Sequence, residues 1–551
     1  MSLNRRSFLQ LSALSTITAA GLSACGSPSS STSVAVTTPV TGGTLRLGYE
    51  TEPATLNPQL SSQDTVAPLL RNAFDSYLYR DEEGVYHPWL AESYEVSEDG
   101  LNVTLVLKEG VTFSDGSALD ADAVLANFDK LAQSDYTATN SVGRSNLTGW
   151  AKGEDERTVI FTLSQPDNLF IAYLSALGST PLSPASLDDG GLKGGGPTIA
   201  GTGPFTITAY QQGSSLTFSK REDYNWAPEA LTGRNGAAYL DGIEVSFLTE
   251  AATRTGALQS GQVDMIYGVP AQNVKGFSTG GFAYEEVLNS GTPYSLYLNV
   301  SKSPLEDLRV RQAFQKAVDL DTIITSIYYG TAKRAWSSLS PTSSFYNQEL
   351  EAGSITYDVD AANALLDEAG WTGRDEEGFR TKDGERLTVR LVSGAIYVRD
   401  SRDTLNLAIA DAMKKNVGIN YVFEPVDSGT ETERADANDY EVFDNTYNSP
   451  DPALALDLLY NSDPAKGVIA RGRYNDTTID QWLNSARSQT NQEQRAQIYD
   501  QFQTYTVTEQ AYLLPLYVPR NSLAYSDKVQ GTLVDTGSGS IFSAYNISLA
   551  G

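Results

Sequence analysis

The chain has 551 residues and a net charge of −29, from 39 lysines and arginines against 68 aspartates and glutamates. An excess of this sign argues against nucleic-acid binding and against a cationic membrane-binding face. Single hydrophobic cores stop growing near about 250–300 residues, so this length predicts more than one lobe.

The first 24 residues are typical of an export signal. Arg5 and Arg6 precede an apolar stretch, and small residues then lead to Cys25, the only cysteine of the chain. This pattern predicts a twin-arginine signal peptide over residues 1–24 and lipidation of Cys25. We therefore expect the mature chain to be anchored by lipid at the extracytoplasmic face of the cell membrane.

Residues 25–43 are rich in Ser, Thr and Pro and carry no charge. Such a composition is typical of a flexible tether, which at this length spans on the order of 20–25 Å. No later apolar run approaches the roughly 18 residues that a membrane crossing needs. The folded body is thus expected to stay close to the membrane without entering it.

Mixed α/β organisation is predicted for the body. Period-two alternation indicates strands, and it occurs at 44–49, 102–107, 159–163 and 243–247. Asp358 can cap a helix that Gly370 ends, and a second amphipathic stretch from Arg309 breaks near 319–321 and stops at Gly330. The glycine-rich segment 190–203 lacks the Gly-Lys-Ser/Thr of a phosphate-binding loop, so we interpret it as a mobile loop.

The residue types present give little support for a catalytic site. His87 is the only histidine, and no Gly-x-Ser-x-Gly motif is present. One histidine and one cysteine exclude a His/Cys metal site, so neither a metal nor a cofactor is expected. We expect a protein that is not an enzyme.

A dozen short segments, in order, carry a resemblance to a known family. They include 52–58, 88–94, 97–100, 113–116, 121–124, 201–205, 259–264, 297–300, 309–314, 364–370 and 514–517. With these landmarks the chain resembles the peptide/nickel-type (family 5) extracellular solute-binding proteins of ABC importers. The similarity runs from about residue 43 to 519.

The resemblance implies an α/β fold, a two-lobed clamshell of the type II periplasmic-binding-protein kind with an extra subdomain on the first lobe. The expected boundaries place the first lobe at 44–72, 200–293 and 520–551, the extra subdomain at 73–199, and the second lobe at 294–519. Two strands, near 294–300 and 513–519, would cross between the lobes.

The resemblance also implies a function. The protein would capture a peptide-like solute by clamshell closure, as a monomer, and deliver it to the permease and ATPase subunits of an importer. The same clamshell could instead present its ligand to a signalling partner, as a sensor.

One departure from the family bears on the ligand. In peptide-binding relatives, an Asp within Trp-x-x-Asp-x-x-Asp-Pro pairs with the α-ammonium group of the peptide. Here Asp451 anchors the match, while Asn445 replaces the Trp and Asn448 replaces the amine-binding Asp. Asn supplies no countercharge for an ammonium group. A blocked peptide, an oligosaccharide or another polar solute, including a metal chelate, therefore stays open beside a free peptide.

The other candidate ligand contacts lie on segments that line the cleft in relatives. Arg399 and Arg402 could bind a carboxylate in bidentate fashion. The remaining candidates are Glu52, Tyr294, Tyr297, Asn299, Trp336, Tyr397, Tyr447, Asn448 and Asp451.

Overall fold

The computed structural model describes residues 39–61, 65–136, 143–351, 353–449, 451–535, 540–541 and 543–550. The predicted signal peptide, Cys25 and most of the predicted tether lie outside the described residues. Within the described part of the chain, no helix combines the length and the apolar character that a bilayer crossing requires.

The first half of the chain builds the first lobe and its extra subdomain. Its strands are β1 Thr44–Tyr49, β2 Leu78–Arg80, β3 Tyr86–Pro88, β4 Ala91–Val96, β5 Asn102–Leu107, β6 Leu147–Lys152, β7 Thr158–Leu163, β8 Phe205–Gln211, β9 Ser215–Lys220, β10 Gly242–Phe247, β11 Met265–Tyr267 and β12 Phe282–Leu288. Its helices are α1 Ala67–Leu70, α2 Ala121–Leu131, α3 Asn168–Ser175, α4 Pro184–Leu187, α5 Glu229–Thr232, α6 Ala251–Gln259 and α7 Val274–Phe277.

The second half builds the second lobe and then returns to the first. Its strands are β13 Thr292–Leu298, β14 Lys333–Arg334, β15 Gly373–Arg374, β16 Arg380–Lys382, β17 Glu385–Arg386, β18 Thr388–Gly394, β19 Asn420–Val426, β20 Val442–Tyr447, β21 Leu513–Val518, β22 Arg520–Ser526, β23 Val529–Gln530, β24 Val534–Asp535, β25 Ser540–Ile541 and β26 Ser548–Leu549. Its helices are α8 Leu308–Lys316, α9 Leu320–Ile327, α10 Val359–Glu368, α11 Arg402–Val417, α12 Ser428–Asp436, α13 Pro452–Tyr460, α14 Thr477–Ser488 and α15 Gln492–Thr504.

The first lobe is built on a seven-stranded sheet in the order β12-β22-β11-β1-β10-β9-β8. Its first strand, β1, runs parallel to β10 and β11 on either side. The extra subdomain has a four-stranded antiparallel sheet, β4-β5-β7-β6. Its buried residues, among them Phe161 and Phe170, belong to the same apolar cluster as Phe205 and Leu216 of the first sheet. A continuous core therefore ties this subdomain to the first lobe.

The second lobe has its own sheet, in the order β14-β21-β13-β20-β18-β19, and its own apolar cluster. Helices α8, α10 and α11 supply buried residues to this cluster, including Phe314, Leu366 and Ile409. Two sheets with separate cores are the architecture that a two-lobed clamshell requires.

The chain passes between the two sheets at two adjacent places. It leaves β12 and enters β13 through residues 289–291, and it returns from β21 to β22 through Pro519. The two passages are bonded to each other, since the amide of Asn289 donates to the carbonyl oxygen of Pro519 at 2.9 Å and Asn521 donates to the Asn289 side chain at 2.8 Å. We call residues 289–291 and 519 the hinge.

The helix cap, the helix break and the four strands predicted from the sequence are present in the structure. The Asp358 side chain accepts a hydrogen bond from the amide of Ala361 at 2.9 Å and so caps α10, and Gly370 follows the helix with φ +89°. The predicted amphipathic stretch from Arg309 is split into α8 and α9, with Asp319 capping the second helix. The four predicted strands are β1, β5, β7 and β10.

Candidate functional site

Side chains from four strands meet at the end of the second sheet that lies beside the hinge. Tyr294 of β13 is paired with Tyr517 of β21, and Asp444 of β20 is paired with Leu296, two positions along β13. The Tyr294 hydroxyl donates to Asp444 Oδ2 at 2.6 Å, and Ser393 of β18 donates to the same oxygen at 3.0 Å. A buried polar row thus crosses four strands at this edge.

Arg402, the first residue of α11, lies on this row. Its guanidinium carbon is 4.1 Å from the centroid of the Tyr294 ring. Its Nε donates to the Tyr517 hydroxyl at 3.1 Å, and its Nη1 donates to the carbonyl oxygen of Tyr397 at 3.0 Å. The residue is 3% exposed, and its Nη2 has no hydrogen-bond partner among the described residues. A buried cation therefore retains one donor group for a further acceptor.

Burial raises the pKa of the Asp444 carboxyl, and the hydrogen bond from Tyr294 and the charge of Arg402 oppose the rise. Desolvation penalises the charged form of a carboxyl, whereas a neighbouring cation favours it. Arg402 and Asp444 are joined through Tyr294 rather than in a direct ion pair. A second carboxylate, Asp400, also lies near Arg402 and accepts from the Tyr517 hydroxyl at 3.4 Å.

Asn445 and Asn448 lie on the same strand and just beyond its end, both partly buried. The Oδ1 atom of each is buried and has no hydrogen-bond partner among the described residues. Tyr447, between them, is partly buried, and its backbone amide donates to the Thr292 hydroxyl at 2.9 Å. Two buried amide oxygens therefore remain free to accept hydrogen bonds at this edge of the second sheet.

A contact between the lobes brings Arg399 towards Glu50, which follows β1. Arg399 Nη1 is 3.9 Å from Glu50 Oε1, and Arg254 Nη2 is 3.8 Å from Glu50 Oε2. Glu52 is held elsewhere, because it accepts hydrogen bonds from the Tyr210 hydroxyl at 2.8 Å and from the amide of Gly213 at 2.7 Å. Glu50, rather than Glu52, is the carboxylate that lies opposite the second lobe.

Tyr397 and Trp336 are the aromatic candidates outside the strands. Tyr397 precedes α11 and is 44% exposed. Trp336 is partly buried, and the guanidinium of Arg334 lies over its ring at 4.7 Å from the centroid. Both remain candidates, and Tyr397 offers the more accessible ring.

Three predicted contacts have their side chains engaged inside the second lobe. Tyr297 packs edge to face against Tyr460 in the core. Asn299 is 0% exposed and donates to Asn438 at 2.8 Å and to the carbonyl oxygen of Tyr440 at 3.0 Å. Asp451 caps α13, and its two carboxylate oxygens both accept from Arg495 Nη2, at 2.7 and 2.8 Å. Each has a structural partner that accounts for its position, so we leave these three out of the candidate site.

Sequence reasoning missed Asp444, Tyr517 and Glu50. Tyr517 lies on a predicted strand and Asp444 directly precedes the matched Asn445, but only the pairing of β13 with β20 and β21 brings them to Tyr294. Glu50 lies two residues before the predicted Glu52, directly after the end of β1. No cluster of three or more His, Cys, Asp or Glu suited to a metal ion occurs in the described part of the chain.

Comparison with known proteins supports the two-lobed fold. The oligopeptide-binding protein AppA of Bacillus subtilis is 26% identical over 548 residues, covering 96% of each chain. The AppA structure with a nonapeptide superimposes with a TM-score of 0.78 at 23% identity, covering 93% of this chain and 100% of that one. NikA from Brucella suis in complex with Fe(III)-EDTA gives a TM-score of 0.79 at 24% identity, covering 92% and 100%.

Two lobes joined by adjacent strands, with polar side chains gathered beside the joint, define the class of clamshell solute-binding proteins. The model for bacterial extracellular solute-binding proteins, family 5, matches residues 85–467, more than half of the chain. The chain belongs to this family, whose members bind solutes outside the cytoplasm. The predicted α/β clamshell and the family resemblance are both confirmed.

Proposed function

We propose that this chain captures a peptide-like acid for an ABC importer, with the ligand carboxylate on Arg402 and no ammonium group at the opposite end. The observation that carries the proposal is the Arg402 guanidinium, 3% exposed, whose Nη2 lacks a partner among the described residues. Hydrogen bonds to a charged partner contribute roughly 1.5–3 kcal/mol each, so a buried guanidinium favours an anionic acceptor.

The second part of the proposal rests on Asn445 and Asn448. Their buried Oδ1 atoms can accept hydrogen bonds from a neutral N–H or O–H group. A buried ammonium group without a countercharge would be destabilised by desolvation. N-blocked peptides and other amide-rich acids fit this pair, and Tyr447 and Tyr397 offer flat surfaces for their apolar parts.

A non-peptide solute is the second candidate, and Asn448 is the observation that favours it. An oligosaccharide or a metal chelate with carboxylate groups would present hydroxyls or anions in place of a peptide amine. Its donors would meet Asn445 and Asn448, and its anionic group would meet Arg402 and Arg399. In either case the protein binds and releases its ligand unchanged, as a non-enzyme.

Closure is expected to occur about the hinge, residues 289–291 and 519. In the structure, Glu50 of the first lobe lies 3.9 Å from Arg399 of the second, as expected for a closed form. Opening about the hinge would separate them. The closed form would then dock on the permease and ATPase subunits. A monomer anchored through Cys25 and exported by the twin-arginine route is consistent with residues 1–25 of the sequence.

Mass spectrometry of solute released from the purified, denatured protein tests the proposal. A carboxylate-bearing compound without a free amino terminus is the expected cargo. A free di- or tripeptide as the main cargo would contradict the assignment of Asn448, and a cargo without an acidic group would contradict that of Arg402.

A further inference from the structure

A second contact connects the extra subdomain to the second lobe, away from the hinge. We call it the joint; its central residues are charged and buried. Arg487, at the end of α14, is shared between Asp457 of α13 and Asp167, which caps α3 of the extra subdomain. All three side chains are at most 1% exposed. The joint therefore connects residues that are more than 300 positions apart in the chain.

The bonds of Arg487 are divided between the two sides. Its Nη1 donates to Asp457 Oδ2 at 2.9 Å, within the second lobe. Its Nε donates to Asp167 Oδ1 at 3.1 Å, and its Nη2 donates to Asp167 Oδ2 and, at 3.0 Å, to Ser145 of the subdomain. Asn168 adds two bonds, to the carbonyl oxygens of Arg487 at 2.9 Å and Gln489 at 2.7 Å.

An apolar contact adjoins these charges. Leu169 and Ala172 of α3 pack with Leu454 and Leu458 of α13 in one buried cluster. Tyr447, from the candidate site, is packed against the same cluster. Helix α13 begins directly after Asp451, and Asn448 lies three residues before Asp451. The joint and the candidate site therefore share one short segment of the second lobe.

We propose that Asp167 and Arg487 form a latch that holds the two lobes closed, and that opening moves Asp167 away while Arg487 stays with Asp457. The inference rests on the clamshell closure of the proposed function. The extra subdomain shares a core with the first lobe, so rotation about the hinge separates α3 from α13 and α14.

The charges of the latch make it reversible. With two carboxylates on one guanidinium, the closed joint carries one excess negative charge. On opening, Arg487 keeps a one-to-one pair with Asp457, and Asp167 is hydrated while it still accepts from Asn146 at 2.8 Å and from the Leu169 amide at 3.0 Å. Each buried charge has an opposite charge beside it in both states. Neither state therefore carries the cost of an unpaired buried ion.

The test compares two matched variants of the ligand-free protein, in which open and closed forms interconvert and the latch favours the closed form. Asp167→Asn removes the charge on the subdomain side, and Asn serves as well as Asp for capping α3. Asp457→Asn makes the same chemical change against the same arginine, but inside the second lobe. Small-angle scattering reports the radius of gyration, and hydrogen exchange reports the opening of residues 168–175.

Asp167→Asn is expected to enlarge the radius of gyration. It is also expected to accelerate amide exchange in α3 by about tenfold or more, because the loss of one partner of a buried ion pair is strongly destabilising. Asp457→Asn is expected to leave the radius of gyration no larger and the exchange in α3 no faster than in wild type, because opening would then leave Arg487 buried without a countercharge. If Asp167→Asn does not fold, Asn168→Ala carries the test, with the same direction and a smaller effect.

Unchanged scattering and α3 exchange in Asp167→Asn would overturn the latch and make the joint a rigid mount. Equal effects of the two variants would also overturn it, because they would report general destabilisation. Since no ligand is added, these outcomes are independent of which solute the protein binds.

Discussion

The guanidinium carbon of Arg402 lies 4.1 Å from the centroid of the Tyr294 ring, and the hydroxyl of that ring donates to Asp444 at 2.6 Å. The tyrosine therefore separates a buried cation from a buried acid and bonds to the acid, while its ring stabilises the cation. This arrangement holds Arg402 beside the hinge without a direct ion pair to Asp444. The predictions on ligand recognition follow from it.

Arg402→Met should abolish the preference for a free carboxylate. The substitution keeps an unbranched side chain beside Tyr294 but removes the charge, and a charged hydrogen bond contributes roughly 1.5–3 kcal/mol. We expect wild type to bind an N-acetylated tripeptide at least about tenfold more tightly than the same peptide with an amidated carboxyl end, and Arg402→Met to bind both alike. Calorimetry measures the difference, and equal affinities in wild type would refute the role of Arg402.

Asn448→Asp should admit free peptides. A carboxylate at this position supplies a countercharge for an α-ammonium group, by a bond of roughly 1.5–3 kcal/mol less the desolvation of both groups. Wild type is expected to bind unmodified tripeptides weakly and the variant more tightly. The same change should weaken an N-blocked peptide whose carbonyl accepts from the Asn amide, because a carboxylate cannot donate. Tight wild-type binding of unmodified tripeptides, unaffected by Asn448→Ala, would show that the assignment is wrong.

Gly291→Ala should disturb the hinge and the candidate site together. Gly291 has φ +85°, and an added Cβ would overlap the carbonyl oxygen of Tyr447 and lie 2.8 Å from the amide nitrogen of Ser449. We expect a loss of stability of roughly 1–3 kcal/mol and weaker ligand binding. Gly280→Ala is the matched control, since Gly280 has φ +73° and no atom within 4 Å of a Cβ there. Equal denaturation midpoints for the two variants would contradict close packing at the hinge.

Asp75→Asn should change how stability depends on pH. Asp75 is 0% exposed and accepts from Trp226 Nε1 at 3.1 Å, and burial raises its pKa from 3.8 to about 6. Because the folded state holds this proton more tightly, its contribution to stability is greatest below pH 4 and is lost as the pH rises to about 6. Relative to Asp75→Asn, wild type should lose about 3 kcal/mol over this window. Urea denaturation of both proteins between pH 4 and 7 measures the difference, and parallel curves would contradict it.

Cys25→Ala should release the protein from the membrane without unfolding it. A diacylglycerol stabilises the membrane-bound state by about 0.8 kcal/mol for each buried CH₂, and no apolar helix in the described residues replaces it. Fractionation of cells that express the variant measures the effect. Recovery of Cys25→Ala in the membrane fraction would exclude lipidation as the anchor.

Local chemistry made much of the fold predictable from sequence. Asp358 and Gly370 delimit α10 because a capping carboxylate and a left-handed glycine act within one helical turn. The break near Asp319 could be predicted for the same reason, because this aspartate caps α9. Such signals depend on neighbours in sequence and need no tertiary information.

The candidate site was harder, because strand faces and sheet pairing decide it. Residues three apart on a strand lie on opposite faces. Tyr294 accordingly turns towards Arg402, while Tyr297 turns towards Tyr460 in the core. Asn299 lies beyond the far end of β13, away from the hinge. Sequence alone could show that Tyr294 and Tyr297 do not share a face, but not which of them faces the ligand.

Long-range pairs were beyond sequence reasoning altogether. Asp167 and Arg487 are separated by more than 300 residues, and neither belongs to a motif of the family landmarks. The glycine-rich segment 190–203 shows the same limit. It was expected to be mobile, but Gly201 and Gly203 lie against Ala73 and Phe74 so closely that a Cβ on either would overlap them. Close packing, rather than loop flexibility, explains these glycines.

Closure on a bound solute is tested most directly by small-angle scattering with and without the solute recovered from the denatured protein. The hinge at residues 289–291 and 519 predicts that saturating solute decreases the radius of gyration as the lobes approach. A radius of gyration that stays constant at saturation, with binding established by calorimetry on the same sample, would contradict the clamshell mechanism.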